Sequence, residues 1–244
     1  MVKVCLISPE YLPVSGGTGA YVRYLSTELV KCGNSVYVMA GYDENGEVKL
    51  DENYYVFLVK TLKNPVIKSF LFSFSASKRL SEIDRRFAID IAHANLPLVS
   101  SFAIPRSFGK KLISTVHSTW KGEADAIKRE PFSRLNSNEK FMVSFNWLLR
   151  ILETIMLERS DKIIAVSEYT KKELLANYRF KYDKIRVIHN GVDVNKFRPA
   201  ESKSKVKSEL GFNEKDKLIL YVGRLYSRKG LFTLMNSIPL VVKR

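Results

Sequence analysis

Seven short apolar runs, each followed by a longer polar or amphipathic stretch, constrain this 244-residue chain more than any other feature. The runs are KVCLIS (3–8), SVYVMAG (35–41), YYVFLV (54–59), DIAHA (90–94), KLISTVH (111–117), KIIAVS (162–167) and IRVIH (185–189). Most are apolar almost without interruption, the pattern of strands covered on both faces. Helical periodicity fills the gaps, most clearly over 18–32, 64–86, 137–160 and 168–177. Strand–helix alternation of this kind predicts an α/β fold, a parallel sheet with helices on both faces. Ligands then bind at the carboxyl ends of the strands.

The pattern changes after VIHNGVDVNKFRPA. ESKSKVKSELGFNEKDK is polar and Lys-rich, and LILYVGRLYSRKG then restarts the unit as strand, glycine, basic loop and helix. One strand and one helix cannot bury their own apolar faces. The expected organisation is a complete domain over 1–189, an interdomain crossover over 190–216, and the first strand–helix unit of a second, incomplete domain over 217–244. No run of about 18 uncharged apolar residues predicts a membrane span, and the start MVKVCLISPE lacks a secretory pattern, so a cytoplasmic location is expected. Cys5 and Cys32 have no metal-ligand spacing and are expected to be buried small hydrophobes.

Formal charge is +15, concentrated in 60–111, with ten basic and three acidic residues, and in 190–244, with twelve and five. Such an excess suits an anionic partner: a phosphorylated substrate, an acidic lipid surface or a nucleic acid. No recognition helix or aromatic-basic sheet signature accompanies it, and nucleic acid is not expected.

Four local features carry chemistry. Gly16 and Gly17 lie between a strand and a helix, where small residues and free N–H groups admit an anionic group. By itself this corner reads equally well as a tight turn, since GGTG departs from the dinucleotide-binding pattern. His117 ends a strand, whereas His93 reads as core and His189 as part of a turn. Asn190-Gly191 with Asp193 is turn chemistry, with Asn190 and Gly191 suited to positive φ and Asp193 to capping, a hinge rather than a catalytic element. Gly223, Arg224 and Lys229 open a helix after a strand, where the two cations could neutralise a diphosphate.

In order, the glycine corner, the strand ending in His117, AVSEYTKKELL, KIRVIHNGVDVNKFRP and LYVGRLYSRKGL resemble glycosyltransferase family 4, retaining enzymes of GT-B fold that use nucleotide-diphosphate sugars. The resemblance implies that the Rossmann-like first domain binds a glycan or lipid-linked acceptor and that the second binds the donor, with reaction in the cleft between them. It assigns His117, Arg224 and Lys229 to catalysis, and Gly16, Gly17, Gly223, Arg224 and Lys229 to the donor diphosphate. Tyr21, Asn95, Trp120, Ser167 and Glu168 become acceptor-side candidates. No metal and no cofactor beyond the nucleotide-sugar co-substrate is implied. The chain departs from the family in having Asn95 where a histidine is common. The family's pair of glutamates eight positions apart has no counterpart within residue 244. The chain is therefore expected to be inactive or weakly active alone, with a separate C-terminal donor domain as a partner.

Residues 66–87 combine Phe-rich positions with Lys68, Lys78, Arg79, Arg85 and Arg86, a composition suited either to core packing or to the anionic inner face of a membrane. Residues 118–141 read as a mobile acceptor loop leading into a core helix. A non-catalytic binding subunit that docks on a separate donor domain is the alternative from a different class.

Overall fold

The computed structural model describes residues 1–11, 16–61, 65–100, 102–128, 131–223 and 229–242, with backbone only at 65–71, 99, 134 and 138. The chain divides into two compact units, Met1–Asn190 and Gly191–Arg244.

The first unit is an eight-stranded sheet built from β1 (Lys3–Ser8), β2 (Ser35–Tyr42), β3 (Gly46–Asp51), β4 (Tyr54–Lys60), β5 (Ile91–Ala94), β6 (Lys111–Val116), β7 (Lys162–Ala165) and β8 (Ile185–Val187). Its order is β3-β4-β2-β1-β5-β6-β7-β8. Every pair is parallel except β3–β4, whose antiparallel register runs from Gly46↔Leu58 to Asp51↔Tyr54. β3 was not expected, because its GEVKLD sequence is polar and largely exposed at the sheet edge. An edge strand need bury neither face, so it leaves no apolar run to read.

The inner strands explain why their sequences are apolar throughout. Cys5, Ile7, Tyr37, Met39 and Phe57 pack into the cluster on one face of the sheet. Their neighbours Val4, Leu6, Val36, Val38 and Val56 pack into the cluster on the other. The period-2 alternation thus sends successive side chains into two different cores. Helix α1 (Gly17–Lys31) covers the second face through Val22, with Leu25 and Leu29 packed beside it. Helix α2 (Pro65–Phe87) covers the first through Phe72, Ala76, Leu80 and Ile83. That i, i+4, i+8, i+11 stripe gives the apolar side of α2 to the core over its described side chains. Flanking this stripe, Arg79 and Arg86 reach Glu47 of β3 at 3.8 and 2.8 Å.

After α3 (Pro97–Ser100), the segment 118–141, expected as a loop, holds helices where described. It contains α4 (Trp120–Ile127), and a capping box of Asn136 and Glu139 starts α5 (Ser137–Ser144). Local side-chain caps satisfy the backbone there, so the segment needs no long apolar run to fold. The single helix expected over 137–160 is broken at Phe145, with φ −103° and ψ 15°, into α5 and α6 (Asn146–Arg159). α7 (Glu168–Asn177) and the third cluster, including Val116, Leu157, Ile163 and Leu174, complete the unit. Cys5 is buried as expected, but Cys32 is exposed, because it caps the solvent end of α1.

The second unit holds α8 (Lys203–Glu209), capped by Ser202, and α9 (Leu231–Val242). The expected strand in LILYV does not form over the described residues 217–223. Within this unit it has no ladder partner, and Leu218, Ile219, Leu220 and Val222 are exposed. Among the described residues no helix is long and apolar enough to cross a membrane.

Candidate functional site

The strand order places β1 between β2 and β5, so successive connections leave it in opposite directions and open a crevice at the carboxyl ends of β1 and β5. The sequence-predicted residues of the first unit lie along this edge. Beyond β1, Ser8 Oγ donates to the Glu10 carbonyl (2.8 Å) and accepts from the Glu10 N–H (3.3 Å), folding the chain sharply. Gly16 then serves as N-cap of α1 with φ 106° and ψ 172°, a conformation costly to any residue with a Cβ. The first residue of α1, Gly17, has open space where its Cβ would stand. Close approach inside the chain occurs instead at Gly19, whose Cβ would lie 3.4 Å from the Glu10 carbonyl oxygen. The corner is therefore a glycine-dependent turn, exposed at Gly17 among the described residues.

β5 and β6 contribute the next groups. Asn95 extends the β5 ladder, its N–H donating to the Ile7 carbonyl at 3.1 Å, and its side-chain amide donates to the His93 carbonyl at 3.2 Å. His93 is a core residue, as expected: its Nε2 lies 2.7 Å from Thr115 Oγ1. Thr115 Oγ1 is in turn 3.4 Å from the Tyr21 hydroxyl. Tyr21, reaching over from α1, meets the His117 ring edge-to-face, with centroids 4.7 Å apart at 81°. Burial pushes the pKa of His117 down to about 4. His93 is pushed down to about 4 by burial and by the neighbouring His117. Both rings are neutral near pH 7.

Among the described residues six side-chain polar atoms are buried without a hydrogen-bond partner, three of them on this edge, Asn95 Oδ1, His117 Nε2 and Trp120 Nε1, the others being Arg79 Nε, Ser100 Oγ and Asn146 Oδ1. Buried polar atoms are nearly always satisfied, so three orphans along one sheet edge mark a place that takes a polar ligand or water.

The segment from His117 to Trp120 is held from beneath. Thr119 caps α4, its Oγ1 accepting from the Gly122 N–H at 3.0 Å and donating to Glu173 Oε2 at 3.3 Å. The Trp120 N–H donates to the carboxyl of Glu153 on α6, at 3.0 and 3.3 Å to the two oxygens. Tyr178 donates its hydroxyl to the same carboxyl. Burial raises the Glu153 pKa to about 7 against these hydrogen bonds. Sequence reasoning missed Glu153. Its signal was a single carboxylate amid the apolar residues of NWLLRILETIML.

Ser167 and Glu168 stand at the next strand end. Ser167 is committed to the backbone, capping α7 by accepting from the Thr170 N–H at 3.0 Å, while Glu168 is exposed in the first turn of α7. At the predicted hinge, the division between units falls between Asn190 and Gly191. Contrary to expectation, neither adopts positive φ. The turn is organised downstream instead, where Asp193 Oδ1 accepts from the N–H groups of Asn195 (3.0 Å) and Lys196 (3.1 Å). Gly223 and Lys229 are exposed in the second unit, and Arg224 lies outside the described residues. Among the described residues no cluster of three or more His, Cys, Asp or Glu is placed to hold a metal.

Comparison with known proteins gives a consistent picture. The family description Glycosyltransferase Family 4 matches residues 15–196. An alpha-monoglucosyldiacylglycerol synthase of Streptococcus pneumoniae is 24% identical over 250 residues, covering 99% of this chain and 53% of the relative. The chain thus spans about half the length of that relative. The sucrose-phosphate synthase of Thermosynechococcus elongatus superposes with a TM-score of 0.78 at 19% identity, over 98% of this chain and 60% of that one. HepE of Anabaena, solved in complex with UDP and glucose, superposes with a TM-score of 0.53 at 15% identity, over 86% of this chain and 50% of that one.

Proposed function

The chain belongs to glycosyltransferase family 4, and we propose that it supplies the acceptor-binding side of a retaining transfer of sugar from a nucleoside-diphosphate sugar to a glycan or lipid-linked acceptor. The single observation that carries this reading is that Asn95 Oδ1, His117 Nε2 and Trp120 Nε1, all just beyond strands β5 and β6, are buried without a partner among the described residues. Together they offer an acceptor, an imidazole nitrogen that can play either part, and a donor, the mixture that sugar hydroxyls satisfy. Tyr21 fixes the plane of the His117 ring from the side.

The chemistry follows from charge. Breaking the bond from sugar to diphosphate leaves negative charge on the departing oxygens and cationic character on the sugar. His117 is neutral near pH 7, so it can hydrogen-bond a sugar without repelling that developing charge. Arg224 and Lys229 carry the positive charge that a departing diphosphate requires. The exposed backbone at Gly17 suits the approach of an anionic group. The UDP and glucose bound by HepE support a nucleoside-diphosphate sugar as donor. The name of the Streptococcus pneumoniae relative supports a lipid-linked acceptor.

The test is saturation-transfer NMR of the chain with a panel of glycosides, inositol and glycerol-linked sugars. Asn95→Ala and His117→Ala should each abolish binding while leaving circular dichroism and melting temperature nearly unchanged. No binding by the native chain, or equal losses of binding and stability in both variants, would defeat the reading. Supplying a donor domain and reading the anomeric configuration of product by NMR tests retention.

A further inference from the structure

Glu153 is 3% exposed and lies on α6, behind the sheet edge that carries the candidate site. Its two oxygens accept from the Trp120 N–H, and one also accepts from the Tyr178 hydroxyl. Trp120 is the first residue of α4, so its N–H is one of the helix-start donors without an intrahelical acceptor. Thr119 satisfies the Gly122 N–H, and Glu153 satisfies that of Trp120. The orientation of the four-residue corner from His117 to Trp120, which carries two of the three orphaned polar atoms, is thereby tied to one buried carboxyl.

We propose that Glu153 is the positioning residue of the acceptor site: its carboxylate pins the first turn of α4, and with it Trp120 and His117, and its protonation loosens that corner. An ionised carboxyl accepts from both Trp120 and Tyr178, whereas a protonated one gives up acceptor capacity to its own O–H. The groups facing it are few. Glu123 on α4 disfavours its ionisation, and Arg150 on α6 favours it. Beyond α7, Tyr178 favours it by hydrogen bonding, and Glu173 of α7 acts on Tyr178. Of the other helices packed on α6, α3 (PLVS) brings no ionisable side chain, and α5 brings Lys140 and Glu139, the latter accepting from the Asn136 N–H in its own capping box. That the corner binds an acceptor rests on the function proposed above. That Glu153 controls the corner does not, and can be tested without any sugar.

The chain has two tryptophans, Trp120 and the exposed Trp147. Trp147→Phe leaves Trp120 emission as a direct report on the corner. Titrating this protein from pH 5 to 9 should show one transition in Trp120 intensity and iodide quenching, with a midpoint near 7. Adding Glu153→Gln, which keeps shape and an acceptor oxygen, should remove the transition. Adding Tyr178→Phe, which deletes a hydrogen bond to the ionised form, should move the midpoint upward. An unchanged transition in the Glu153→Gln protein, or none in the Trp147→Phe parent, overturns the proposal. Should Glu153→Gln fail to fold, Tyr178→Phe decides: a midpoint that stays in place overturns it, and an upward shift supports it. Loss of sugar binding with an intact Trp120 transition would instead defeat only the proposed function.

Discussion

His93 and His117 are neutral because burial disfavours their charged forms, and this has a consequence for stability with a definite sign. Each folded-state pKa, about 4, lies below the ordinary value of 6.5. Between those limits the unfolded chain binds more protons, so stability rises with pH and is lost as pH falls from 6.5 toward 4. For His93 alone the shift corresponds to about 3 kcal/mol. Glu153 acts in the opposite sense: its pKa is raised from 4.5 to about 7, so its contribution is full below 4.5 and is lost as pH rises through 7. Urea midpoints measured from pH 4 to 8 should therefore fall on the acid side. His93→Gln should flatten that fall. An equally steep acid limb in the variant would mean that His93 is not held neutral. The sequence marked His117 by its place at a strand end, and correctly assigned His93 to the core. The state of His117 Nε2 was not legible there, since its burial and surroundings include Tyr21, distant in the chain.

Among the elements, β2 and the segment after β1 constrain each other through Gly41. A Cβ there would stand 2.9 Å from the Pro9 carbonyl oxygen and 3.2 Å from Thr61 Cγ2. The backbone oxygen cannot swing away as a side chain could, so Gly41→Ala should cost about 1–3 kcal/mol of stability. Because Pro9 belongs to the turn that leads from β1 toward Gly16, the substitution should also weaken sugar binding. Thermal melts and the NMR titration together check this; a fully stable variant with native affinity would show that the turn gives way freely. The inner strands and α1 were legible because each must bury one or two whole faces. β3, the break at Phe145 and the fold of 118–128 were not, because they rest on edge pairing and on caps such as Thr119 and Asn136 rather than on apolar periodicity.

Among the described residues of the whole molecule, all eight strands and the three hydrophobic clusters lie before Asn190. A chain shortened to Met1–Asn190 should thus unfold cooperatively with a melting temperature within about 5 °C of the longer one, a shift that corresponds to roughly 1–2 kcal/mol in a domain of this size. A collapse of the transition on shortening would show that residues 191–244 contribute to the core of the first unit.

The sequence by itself determined the α/β class, the parallel inner sheet and the family, because buried strands and an ordered set of turn and helix-start residues leave local marks. Only the tertiary structure decided that Asn95, His117 and Trp120 each bury an unsatisfied polar atom, and that Glu153 of α6 accepts the Trp120 N–H. Hydrogen-bond satisfaction and desolvation depend on what packs around a group in three dimensions, and neighbours in sequence carry little of that information.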